Sequence, residues 1–228
     1  MLSAEDSLVL VIDIQEKLVN ALEKDTIVSK ALKIVQAANI LNIPVLFTEQ
    51  YPKGLGHTVE KLAEVKKFGG QEVKLFNDSD TEEILQKQQI DKNLSTVQPF
   101  NSLTDNSLPS CPLALCSSNF IFEKTSFNAL SEDGFLDKIK SYGKKQIVIM
   151  GIETHICVYQ TACALVNEGF EVYAIKDACA SRNKYEFKQG IEAMRDNGVK
   201  ISCVEIALFE WLKGAKNPKF KEVQALIK

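Results

Sequence analysis

The sequence predicts an α/β protein: a three-layer α/β/α fold around a doubly wound, six-stranded, mostly parallel sheet. Short apolar runs such as LVLVIDI and QIVIM are rich in β-branched residues and lack polar alternation, as strands buried on both faces do. Stretches with helical apolar spacing separate these runs. Strand and helix therefore alternate along the chain, which calls for parallel pairing through crossover helices. Such crossovers are right-handed, so the sheet is wound in both directions from a central strand.

The elements follow in order. Residues 8–14 form the first strand. Residues 26–41 place Ile27, Ala31, Ile34, Val35, Ala38 and Leu41 on one helical face. Residues 44–48 read as a strand opened by Pro44, and 58–67 as a short helix. Residues 119–122 are a further strand, and 131–142 a helix with Ser131 and Asp133 as candidate caps. Residues 146–150 are a strand, and 154–168 a helix ended by Gly169. A strand at 171–175, a helix at 184–196 stopped by Asn197-Gly198, and a strand at 199–203 complete the pattern. The tail after 204 reads as one or two helices. Residues 77–118 interrupt it: this polar stretch holds Pro99, Pro109 and Pro112. It reads as a lid or long loop, with a helical piece around 80–90, inserted in one domain spanning 1–228.

Bulk properties exclude several classes. A chain of 228 residues suits one substantial core. The net charge is −3 and there is no basic run, so neither nucleic acid nor an anionic membrane surface is an expected partner. No apolar run approaches the ~20 residues that span a bilayer. The opening MLSAED lacks a positive region followed by an apolar stretch, so no signal peptide is read and a soluble cytoplasmic chain is expected. None of the six cysteines forms a C-x-x-C pair, which fits free thiols in a reducing compartment.

Ligand sites in such a fold lie at the carboxyl ends of the strands. Asp13 ends the first strand, Lys124 follows NFIFEK, and Cys157 follows QIVIM near the start of a helix. Each alone has an ordinary reading: an Asp as a helix cap, a Lys as a solvated charge, a Cys as core. The last reading is the one expected of Cys163, Cys179 and Cys203. All three strand ends, however, converge on one sheet edge. A thiol ionises near ~8.5 in isolation. A helix N-terminus and a lysine both favour the nucleophilic thiolate. An aspartate can shuttle the thiol proton, and backbone N–H groups at a strand-to-helix turn can hold an oxyanion.

The segments VIDIQEKL, PVLFTEQYPKGLGHT, FEKTSFNAL and MGIETHICVYQTACALVNEGFEVYAIKDACASR resemble the isochorismatase-like cysteine hydrolases, and within them the eukaryotic isochorismatase-domain-containing proteins. The resemblance spans most of the chain outside 77–118. It implies a triad of Asp13, Lys124 and Cys157, and a cis peptide between Ile152 and Glu153. That bond would turn the Glu153 N–H toward an oxyanion alongside the N–H of Cys157. Thr154 then reads as the N-terminal cap of the following helix. Gln15, Gln50, Tyr51, Phe127 and His155 flank the strand ends and are candidate substrate-binding residues, although Phe127 also suits a core and Gln15 a structural role.

No metal or cofactor is expected. Nicotinamidases of this superfamily carry an Asp-x-His and a further His, but here the place reads Thr48-Glu49-Gln50, and the only histidines are His57 and His155. Cys111 and Cys116 lack a second ligand pair. Gly54-Leu55-Gly56 lacks the third glycine of a dinucleotide fingerprint, since Val59 stands there, and reads as a backbone turn near the pocket.

The predicted function is a cysteine-dependent hydrolase of a small amide-like or related C–N substrate, working through a covalent Cys157 intermediate in a homo-oligomer. Two other readings compete. One is a catalytically idle scaffold or interaction protein of the same fold. The other is a redox-responsive thiol, disfavoured because Cys163, six residues on in one helix, points elsewhere.

Overall fold

Strand β1 (Ser7–Ile12) is buried along its whole length, and everything else is arranged around it. The computed structural model describes residues 1–22, 26–64, 74–75 and 120–228. In these, β2 (Val45–Gln50), β3 (Lys74–Leu75), β4 (Phe120–Lys124), β5 (Gln146–Ile152), β6 (Glu171–Ala180) and β7 (Lys200–Ser202) join β1 in one sheet, in the order β3-β4-β2-β1-β5-β6-β7. Every pairing is parallel. The six strands expected from the sequence are all present; the two-residue β3 adds an edge too short to leave a periodic signal.

The order explains where a site must be. From β1 the chain crosses to β2 and on to β4 on one side, then returns past β1 to β5, β6 and β7 on the other. Crossovers of opposite direction and equal handedness put their helices on opposite faces. Helix α2 (Ile27–Ile40), between β1 and β2, packs with α8 (Val204–Leu212) and α9 (Phe220–Ala225) on one face. After β4, the 3-10 turn Ala129–Ser131, α5 (Phe135–Ser141), α6 (Tyr159–Asn167) and α7 (Lys184–Asp196) form the opposite layer. The gap at the reversal between β1 and β5 is the crevice such sheets use for ligands. Among the described residues there are also three short helices: α1 (Glu16–Asn20), α3 (Pro52–Leu55) and α4 (Glu60–Glu64).

Side-chain chemistry accounts for the main elements. The inward face of α2 carries Ile27, Ala31, Ile34, Val35 and Ala38, all buried. Trp211 of α8 is buried and its indole N–H donates to the Ser7 hydroxyl at 2.9 Å, tying that helix to the start of β1. Gly151 in β5 has φ +141°, and a methyl group there would overlap the Ile12 carbonyl; glycine lets the two central strands close. Among the described residues, no helix is long and apolar enough to cross a membrane.

Several sequence expectations need correction. Ser131 and Asp133 do not cap α5: Gly134, with φ 76°, occupies that position, and the Asn128 side chain instead caps the preceding 3-10 turn. Strand β6 runs to Ala180 rather than stopping at residue 175, its pairing with β5 resuming after an irregularity. The helix expected over 58–67 starts at Glu60 and is helical through Glu64, with residues 65–67 outside the described residues. Thr154 is not the cap of the helix after β5; Glu153 holds that place, and the buried Thr154 hydroxyl has no hydrogen-bond partner among the described residues. The expected lid at 77–118, with Cys111 and Cys116, lies outside the described residues.

Candidate active site

The register of the central strands brings the strand-end residues together. Ile12 pairs with Thr48 of β2 and with Gly151 of β5, while Gln50 pairs with Lys124 of β4. Asp13 follows Ile12 and adopts a left-handed conformation, φ 50°, costly for a residue with a side chain and tolerated here because its surroundings hold it. Its N–H continues the ladder to the Thr48 carbonyl at 3.2 Å. The Thr48 hydroxyl donates to Asp13 Oδ1 at 2.6 Å. Asp13 Oδ2 is 2.7 Å from Lys124 Nζ, and both side chains are fully buried. Oδ1 thus takes the Thr48 hydroxyl and Oδ2 the ammonium, and a carboxylate with these partners keeps lone-pair capacity for a further proton.

Lys124 is fixed on its other side. Its ammonium donates to Gln50 Oε1 at 2.6 Å and to the Ser126 carbonyl at 3.1 Å. Gln50 in turn donates through Nε2 to the Thr125 carbonyl at 2.6 Å. The loop after Lys124 is held by Glu132, whose carboxylate accepts from the Thr125 and Ser126 N–H groups at 2.7 and 2.6 Å. A buried pair of opposite charges with these added hydrogen bonds is the arrangement that offsets the cost of desolvation.

Cys157 enters from β5. The peptide between Ile152 and Glu153 is cis. The chain then makes a π-helical turn, Thr154–Val158, before α6, with the Ile156 and Val158 N–H groups both donating to the Glu153 carbonyl. Such turns recur where a helix must present one side chain off its regular path. Helix α7 comes close behind: a Cβ on Gly190 would sit 2.8 Å from both the Cα and the N of His155. Cys157 is 6% exposed. Its sulfur is within reach of the Asp13 carboxylate and of the Glu153 N–H, and it feels the charges of both Asp13 and Lys124.

The electrostatics weigh the influences on the thiol that the sequence named. Burial, then the negative charge of Asp13, push the Cys157 thiol up to about 12, and Lys124 only partly counters them. The resting group is thus a thiol beside a carboxylate. The helix terminus and lysine do not generate a standing thiolate, because desolvation penalises the anion and Lys124 is already neutralised by Asp13.

The remaining candidates separate. Gln15 is buried and clamps Gln50: its Oε1 accepts the Gln50 N–H at 2.7 Å and its Nε2 donates to the Gln50 carbonyl at 3.1 Å. Tyr51 is 56% exposed, in a left-handed conformation, its ring lying over Gly54. Phe127 is 55% exposed, so it is not a core residue. His155 turns toward α7, with Nδ1 2.9 Å from Ser181 Oγ and Nε2 3.7 Å from Glu186. The Gly54–Gly56 stretch does form a turn, with φ 80° at Gly56.

Among the described residues, Glu153, His155 and Glu186 bring potential metal-ligand atoms within 4.8 Å of one another. Glu153 is already paired there with Arg182 Nε at 2.9 Å. A cavity of about 190 Å³ adjoins this cluster at the start of α7, lined by Ser181, Arg182, Asn183 and Phe187 among others; Asp13, Lys124 and Cys157 do not line it. Sequence reasoning missed Thr48 and Glu49 as parts of the site's framework. Their alternation along β2 was the available signal, since residues 48 and 50 must share one face and 49 the other.

Comparison with known proteins places the chain. The isochorismatase domain matches residues 104–206. Isochorismatase family protein 1A of Dictyostelium discoideum is 30% identical over 228 residues, covering 99% of this chain and 87% of that protein. Isochorismatase domain-containing protein 2 of Danio rerio is 30% identical, covering 99% and 89%. A structure described as MAR1 ribonuclease from Caenorhabditis elegans superposes with a TM-score of 0.72 at 28% identity, covering 99% of this chain and 91% of that one. The YcaC gene product of Escherichia coli, described as an octameric hydrolase of unknown specificity, gives 0.73 at 20% identity over 99% and 88%, a likeness of fold. Full-length identity to eukaryotic relatives, the parallel sheet and the matched domain agree: the chain belongs to the isochorismatase family and has its hydrolase fold.

Proposed function

We propose that the protein is a cysteine-dependent hydrolase of a small, amide-like C–N substrate, with Cys157 as nucleophile, Asp13 as proton shuttle and Lys124 as its electrostatic partner. The observation that carries this reading is the buried Asp13–Lys124 pair at 2.7 Å with the Cys157 thiol set against it. The Asp13 carboxylate, which keeps lone-pair capacity beside its ammonium partner, faces a thiol too weakly acidic to ionise into water. Internal proton transfer then moves no net charge into the buried site, so its cost stays low.

In the first step the sulfur attacks the substrate carbonyl carbon as its proton passes to the Asp13 carboxylate. The N–H groups of Glu153 and Cys157 receive the oxyanion. Collapse breaks the C–N bond, and Asp13 returns its proton to the departing amine. Water then attacks the thioester as Asp13 takes one of its protons; collapse breaks the C–S bond, Asp13 returns that proton to the sulfur, and a carboxylic acid is released. Because Asp13 already neutralises the Lys124 charge, the site favours an uncharged carbonyl over an anion. Gln50, Tyr51, Phe127 and His155 are the candidate walls, and Gln15 acts through Gln50.

The test is a hydrolysis screen over small amides and carbamates with wild type and Cys157→Ala side by side. Turnover lost in the variant supports the covalent route; turnover that survives ends it. An RNA arm belongs in the same screen, since one relative is described as a ribonuclease. RNA cleavage that needs Cys157 would replace the amide reading, whereas the net charge of −3 predicts none. We also propose a homo-oligomer, consistent with the exposed apolar Ile206 and Phe209 on α8. Light scattering should give a mass above the 25.4 kDa of one chain.

A further inference from the structure

Thr48 and Gln50 use one face of β2 to hold Asp13 and Lys124. Glu49 lies between them and so faces the opposite side. Its side chain is 1% exposed, yet it is an acid. Both oxygens are engaged: Oε1 accepts the Thr58 N–H and the Thr58 hydroxyl, each at 2.7 Å, and Oε2 lies 2.9 Å from His57 Nδ1. Burial works to raise the Glu49 carboxyl, but the Thr58 and His57 contacts prevail and hold it below the usual range. A buried carboxylate is costly unless its partners are complete, which ties its position firmly to theirs.

What Glu49 holds is the strip next to the reacting groups. Residues 57–59 run antiparallel to 14–16: Gln15 bridges Thr58, the Glu16 N–H donates to the His57 carbonyl at 3.1 Å, and the Val59 N–H to the Ile14 carbonyl at 3.0 Å. Asp13 immediately precedes this strip in its left-handed pose. Gln15, within the strip, clamps Gln50, which holds Lys124. One anchored segment therefore sets both charged members of the pair.

We propose that Glu49 is a positioning residue for the Asp13–Lys124–Cys157 site: its carboxylate clasps His57 and Thr58 against residues 14–16, keeping Asp13 and Gln50 in register. This rests on the hydrolase reading above. The experiment measures alkylation of Cys157 by iodoacetamide from about pH 6 to 9, read by peptide mass spectrometry. Wild type, Glu49→Gln, Thr58→Val and Asp13→Asn are compared. Buried Cys179 serves as the reporter of unfolding.

In wild type the rate is independent of pH, because Asp13 takes the proton internally. In Glu49→Gln it falls roughly tenfold at neutral pH, the scale of a small misplacement of reacting groups. It also regains the upward slope of Asp13→Asn, while Cys179 stays protected. Thr58→Val, which removes one donor, falls by a smaller factor and decides the matter if Glu49→Gln does not fold. Wild-type rates with a flat profile in the folded variants overturn the positioning role. A wild-type profile that itself climbs like Asp13→Asn overturns the hydrolase reading, and this proposal with it.

Discussion

Replacing Lys124 with methionine keeps the length of the side chain and removes its charge. In the folded protein this strands Asp13, whose side chain is fully buried and whose Oδ2 has the ammonium 2.7 Å away. The Thr48 hydroxyl on Oδ1 remains, but one neutral hydrogen bond does not replace a full charge. Removing one partner of such a buried pair costs about 3–5 kcal/mol, which for a chain of this size lowers Tm by roughly 6–20 °C. The loss of two further hydrogen bonds, to Gln50 and Ser126, puts the expectation toward the upper end. Urea denaturation at neutral pH measures it. The companion double variant Asp13→Leu/Lys124→Met removes both charges, and should recover at least ~2 kcal/mol relative to the sum of the two single changes. A single-variant cost below ~1 kcal/mol with additive behaviour is what an exposed pair gives. That result would refute the account of Asp13 and Lys124 as a dry, mutually dependent pair.

Gly190→Ala should cost about 1–3 kcal/mol by thermal melt and slow Cys157 alkylation, because the new methyl meets the backbone of the turn that carries the cysteine. Gly151→Ala is the harsher change, since its φ and the Ile12 carbonyl both exclude a side chain; a loss above ~3 kcal/mol or an insoluble protein is expected. His57→Gln tests the Glu49 clasp through pH. Glu49, Glu123 and Glu16 raise His57 above its usual 6.5, led by the Glu49 contact, so its contribution is full below that value and fades as pH climbs through the raised one. The lowered Glu49 carboxyl loses its share as pH falls through its own value. The stability gap between wild type and His57→Gln should therefore be widest between these limits and close at alkaline pH; a gap that widens there contradicts the assignment.

Much of this was readable from residue order. The unbroken apolar runs of β1 and β5 declared a buried parallel sheet, and parallel topology alone carried Asp13, Lys124 and Cys157 to one edge. Identity at the ends of elements was less readable. Gly134 rather than Ser131 or Asp133 starts α5, because a left-handed turn was needed there more than a side-chain cap. Thr154 fails as a cap because the chain enters a π-helical turn, which has no sequence signature of its own. How far burial raises the Cys157 thiol is not readable from sequence for a different reason. Lysine and helix terminus are visible in sequence, whereas the depth of burial and the neutralisation of Lys124 are properties of three dimensions. Glu49 escaped notice because a charged residue at a strand end ordinarily points to water, and only the return of residues 57–59 covers it.

The most direct measurement is the pH–rate profile of Cys157 alkylation in wild type beside Asp13→Asn. With a thiol pushed up to about 12 and the Asp13 carboxylate beside it to receive its proton, wild type should react at a rate that does not change between about pH 6 and 9. The asparagine variant, which must lose the proton to solvent, should instead speed up with rising pH. Both proteins climbing about tenfold per pH unit would mean that free thiolate alone reacts and that Asp13 moves no proton.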